Sequence, residues 1–207
     1  MGVPITSLED FQAKFEHLKH QRDLFAFFLF DERPSQRAVE RFADEQFEWL
    51  DALAAAARIF LFVFLRRNRE ERQIVENPGL EVGSIFGIRP NQLPGIVLFT
   101  LAADREGVSR GVYLPIKAEL FEKDLLRVED VFSDLFSLIQ ECRQRSDSPE
   151  QLLTEVDSEV KSLLRTERLR PIKSYLKQTL LELGKLPTRV VESVSAAVAT
   201  SMVRQGF

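Results

Sequence analysis

The chain has 207 residues, 44% of them hydrophobic and 29% charged, and a formal charge of −4, a composition that suits a folded globular domain and excludes collagen-like or low-complexity structure and a general affinity for polyanions. A single cysteine, Cys142, excludes an intrachain disulfide, dithiol redox chemistry and a multi-cysteine zinc site. The longest apolar runs, LFAFFLF at 24–30 and IFLFVFL at 59–65, fall far short of the roughly 20 residues that span a bilayer, and no basic segment leads into an apolar one at the start; the expectation is a cytoplasmic chain with no membrane span.

In chain order, Ser7 and Asp10 form a capping pattern, and Leu8, Phe11, Phe15 and Leu18 recur at helical spacing, which predicts a helix over 8–20. Residues 24–30 predict a strand apolar on both faces, as a strand covered by helices on both sides must be. Pro34 and Ser35 open a second helix, with Val39, Phe42, Phe47, Leu50 and Leu53 on one side and Glu40, Asp44 and Glu48 on the other. A strand at 59–65 completes a β-α-β unit. The charged stretch 66–78 reads as a surface excursion, 79–86 as a short helix, and 96–101 with 111–116 as an antiparallel hairpin around the polar residues 104–107. Val128, Val131, Phe132, Leu135, Leu138, Ile139 and Cys142 mark the apolar side of a helix over 124–144.

From 146 onward only helices are predicted: one begun by Ser148-Pro149-Glu150, one from Pro171 to Gly184, and one from Pro187 and Thr188 to about Arg204. Sixteen of the 17 phenylalanines lie between Phe11 and Phe136, and the charge divides nearby, −7 over 1–142 and +3 over 143–207. The chain therefore reads as a Phe-rich α/β domain, 1–145, followed by an α-helical extension, 146–207.

The order helix, strand, helix, strand, helix, proline loop, hairpin, helix resembles that of the thioredoxin-like superfamily. The words Glu76-Asn77-Pro78-Gly79-Leu80, Phe86-Gly87-Ile88-Arg89 and Leu93-Pro94-Gly95-Ile96-Val97-Leu98-Phe99 are similar to the family's segment before and into its third long strand. The resemblance covers roughly residues 5–143. It implies a mixed sheet with helices on both faces, a cis proline at Pro94, and a peptide-accepting edge at Leu93. The family's paired cysteines would fall in Asp31-Glu32-Arg33-Pro34-Ser35-Gln36-Arg37, which holds no thiol. The implied protein is a redox-inactive member that binds a protein or peptide, with Leu93, Pro94, Arg33 and Ser35 as candidate contacts. Its alternative is a glutathione-transferase-like enzyme using the Ser35 hydroxyl and the Pro94 loop; against that, Pro34-Ser35 serves simply as a helix start.

Outside the resemblance, residues 165–189 hold seven basic and two acidic side chains, with Lys173 and Lys177 opposite the Ile172, Leu176, Leu180 face. A basic amphipathic helix suits a membrane surface or an acidic partner surface; the nearest acidic surface is the chain's own domain, and docking there is the reading preferred over a lipid surface. Only Tyr175 is at hand for base stacking, so no nucleic-acid role is expected. The last helices leave open docking on the same chain or pairing with a second copy. His17 and His20 share a helix without a third ligand, and Cys142 sits on an apolar face; no catalytic residue, cofactor or metal is predicted.

Overall fold

The computed structural model describes residues 1–31, 36–65, 77–102, 105, 108–165 and 189–192, with only the backbone described for 160–165 and 189–192. A mixed sheet is built from β1 (Gly2–Ile5), β2 (Leu24–Leu29), β3 (Phe60–Phe64), β4 (Gly95–Leu101), β5 (Val108–Pro115) and β6 (Arg189–Glu192), in the order β1-β3-β2-β4-β5-β6. β3 runs parallel to both β1 and β2, whereas the β2–β4, β4–β5 and β5–β6 pairs are antiparallel. The helices are α1 (Leu8–Leu18), α2 (Arg37–Glu45), α3 (Phe47–Ala56), α4 (Pro78–Ile85), α5 (Ala118–Lys123), α6 (Leu125–Arg143) and α7 (Pro149–Arg165).

Helices lie on both faces, as the two-sided apolar strands require. Every residue of β2 and β3 is buried. On one face Phe25, Phe27, Phe62 and Phe99 meet Phe11 and Phe15 of α1 and Phe86 beyond α4. On the other, Phe28 meets Phe42 of α2, Phe121 of α5 and Phe132 of α6, and Trp49 of α3 closes over Phe42 and Phe132. Edge-on and offset ring pairs of this kind add to the area they bury. α7 packs beside α6 on β4 and β5 and sends Leu152, Leu153 and Val156 into the same core. The division at 145/146 thus falls between two helices that share one core.

Several elements depart from the sequence reading. β1 was not predicted: it is four residues long and contains Pro4, which an edge strand tolerates because one side of its ladder is unpaired. The single helix expected after Pro34 is two, divided at Gln46 (φ −102°, ψ 13°), where no glycine or proline announces the change. α5 was not predicted either. At the C-terminal end, residues 189–192 pair as a strand with Arg110–Tyr113 of β5 where a helix from Pro187 was expected. An open β5 edge presents unpaired amides and carbonyls, and Val190 and Val191 are β-branched residues suited to a strand. The predicted helix over 171–184 lies outside the described residues. Among the described residues no helix is long and apolar enough to cross a membrane.

Candidate functional site

The C-terminal ends of β2 and β3 and the start of β4 meet at one end of the sheet. β2 passes into Asp31, a carboxylate with no solvent exposure. Its backbone N–H donates to Gln36 Oε1 at 2.8 Å, and Gln36 Nε2 donates to the Leu93 carbonyl at 3.1 Å. A buried carboxamide thus joins the end of β2 to the residue before Pro94, satisfying one donor and one acceptor that would otherwise be buried unpaired. Asn77 works on two elements at once. Its Nδ2 donates to Asp31 Oδ1 at 2.6 Å, and its Oδ1 accepts from the Leu80 N–H at 3.2 Å, capping α4 with Pro78 in the first helical turn.

The Leu93–Pro94 peptide bond is cis. Leu93 is 7% exposed, and Pro94 is buried. The Leu93 N–H donates to Pro90 O at 3.4 Å, so both backbone groups of Leu93 are engaged within the chain; the Pro94 carbonyl accepts from the Ile116 N–H at 2.8 Å. Behind this turn Tyr113 Oη donates to the Gln92 carbonyl at 2.5 Å, and burial pushes its phenol far above the ordinary range.

Of the sequence candidates, Leu93 and Pro94 come together with Asp31, Gln36 and Asn77. Arg33, Ser35, Lys173 and Lys177 lie outside the described residues. Gln36 and Asn77 were not singled out from the sequence. The Asn77-Pro78 pair carried a legible signal, an N-cap residue before a first-turn proline; a glutamine bonding to a carbonyl far along the chain carries none. Cys142 is remote, near the C-terminal end of α6. It is buried, and desolvation raises its thiol while the guanidinium of Arg145, 3.5 Å from Sγ, pulls the other way. His17 and His20 are exposed.

The described part of this constellation holds amides, a carboxylate and carbonyls, groups that tie backbone segments together; none of them is a nucleophile poised beside a base. At the same end, α6 begins with Leu125 and Leu126, 46% and 73% exposed in a molecule that buries most of its large apolar side chains. Compared with known proteins, the chain matches no family model and no curated sequence.

Proposed function

We propose that this chain is a redox-inactive, thioredoxin-like module that binds a protein or peptide partner. Three features support the thioredoxin-like reading: the β1-β3-β2-β4-β5 succession with β3 between two parallel neighbours, the antiparallel hairpin that follows Pro94, and helices on both faces. The observation that carries the functional reading is the Gln36 bridge. In the segment where the resembling family keeps its thiols, this chain places a carboxamide that fastens Asp31 to Leu93. There Gln36 serves to hold the fold. A partner is supported by the exposed Leu125–Leu126 pair beside this end. A peptide adding to Leu93 itself must first displace Gln36 from the Leu93 carbonyl.

The reading is tested in two steps. The chain is expected not to accelerate insulin reduction by dithiothreitol and not to be retained on immobilised glutathione; retention with transferase turnover establishes the enzyme alternative and ends this one. Leu126→Glu, at an exposed position, is expected to leave the melting temperature unchanged while abolishing the proteins that co-purify with the wild-type chain. Identical co-purification with the variant removes this face from the proposal.

A further inference from the structure

The end of the sheet opposite Pro94 gathers arginines. α1, α3 and α6 all finish here, and Arg22, Arg58, Arg105 and Arg143 lie in or beside the segments that follow them and in the β4–β5 loop. Arg143 Nη2 donates to the Arg58 carbonyl at 3.3 Å. Arg105 Nη1 donates to the Lys19 and Arg22 carbonyls, the second at 3.0 Å, and its Nη2 pairs with Asp23 at 2.8 Å.

Helix C-termini leave carbonyls without partners, and cationic side chains are a common answer to them. That need accounts for Arg105 and for one nitrogen of Arg143. It does not account for the rest. Arg22 and Arg58 are exposed, and among the described residues neither they nor Arg143 has a carboxylate within ion-pair distance. Arg143 Nε is buried with no hydrogen-bond partner. Burial, then the charge of Arg58 and to a smaller degree that of Arg22, hold the Arg143 guanidinium below its ordinary range, with Asp23 opposing. Arg143 thus lies within electrostatic reach of two further cations in a chain whose net charge is −4.

Arg58 adds a conformational argument. It follows α3 with φ 55°, its N–H bonded to Ala55 O at 3.1 Å and the Ile59 N–H to Ala54 O at 3.0 Å. This is the left-handed helix exit that glycine fills without strain. For the backbone an arginine is a poorer choice than glycine, and the position nevertheless carries a guanidinium.

We propose that Arg22, Arg58 and Arg143 form a binding site for a phosphate group. The guanidinium fork matches phosphate oxygens two at a time, and the exposed Arg22 and Arg58 side chains carry guanidinium groups that no carboxylate among the described residues holds. The three arginines come from three chain segments, with Arg143 bonded to the Arg58 carbonyl, and so few cations suit a single dianion; a nucleic-acid strand requires a longer basic track and meets the repulsion of an acidic chain. The site stands independently of the reading of the Pro94 end.

The test uses the full-length protein in calorimetric titrations with inorganic phosphate and pyrophosphate, the ionic strength held constant with sodium chloride. Saturable binding at one site is expected, weakened about tenfold or more by Arg22→Gln and by Arg58→Gly. Arg58→Gly is at the same time expected to raise the melting temperature, which separates lost binding from lost folding. A phosphoserine peptide and its unphosphorylated twin, titrated in parallel, show whether the group is best presented on a polypeptide or as a small ester. A response no greater than that to chloride, or variants that bind as the wild type does, overturns the proposal.

Discussion

Gln36 bonds to a backbone carbonyl 57 positions along the chain and to an N–H five positions back, and both contacts are buried. Replacing it with alanine leaves the Asp31 N–H and the Leu93 carbonyl without these partners. Each such group costs about 1–3 kcal/mol when buried and unpaired, so Gln36→Ala is expected to lower unfolding stability by about 2–6 kcal/mol. Urea denaturation at constant m-value measures this; a loss below about 0.5 kcal/mol would mean that water reaches both groups and that the bridge does not hold the site together. At this scale the sequence was only partly readable. Asn77 before Pro78 announces a helix start from local chemistry alone. Gln36 does not, because its role depends on where the chain later returns, and residue type says nothing of that.

At the scale of elements, α4 is set against the end of β2 by an absence of side chain. A Cβ at Gly79 would stand 2.0 Å from the Phe30 carbonyl oxygen, a backbone atom that cannot swing aside. Gly79→Ala must therefore move α4 off the strand, and Asn77, which caps α4 and holds Asp31, moves with it. The expected loss is about 3 kcal/mol or more, at the upper end of the range for overpacked cores. Thermal unfolding of the variant decides: a change within about 1 kcal/mol would show that the helix slides without consequence. β2 and β3 were legible because uninterrupted apolar runs bounded by polar residues fit strands covered on both faces. β1 and β6 were not, since four-residue edge strands carry too few positions for a period to show. The division at Gln46 was hidden for a different reason: the apolar spacing continues across it, and only the backbone turns.

At the scale of the whole molecule, the sequence suggested a boundary near 145 from the loss of phenylalanine and the change in charge. Composition does shift there, but the core does not end. Leu152, Leu153 and Val156 of α7 are 2% exposed or less and belong to the same cluster as β4 and α6. Arg145 adds a tie across the α6–α7 turn through Glu155 and Glu159, and Arg110 of β5 donates to Thr154. The exposed ion pairs contribute little; the apolar contacts decide. Three buried aliphatic side chains at about 1.5–3 kcal/mol each contribute roughly 4–9 kcal/mol as an upper estimate, against a total of about 5–15 kcal/mol for a typical domain. A chain ending at Ser146 also uncovers the apolar residues of α6 and β5 beneath α7. It is therefore expected to lose cooperative melting and to bind a hydrophobic dye, whereas a chain ending at Arg165 is expected to keep a single sharp transition. Calorimetry on the two truncations separates the cases. A sharp transition from the shorter chain would show that α7 is an accessory to a core complete without it, and that the boundary legible in composition is also the boundary of folding.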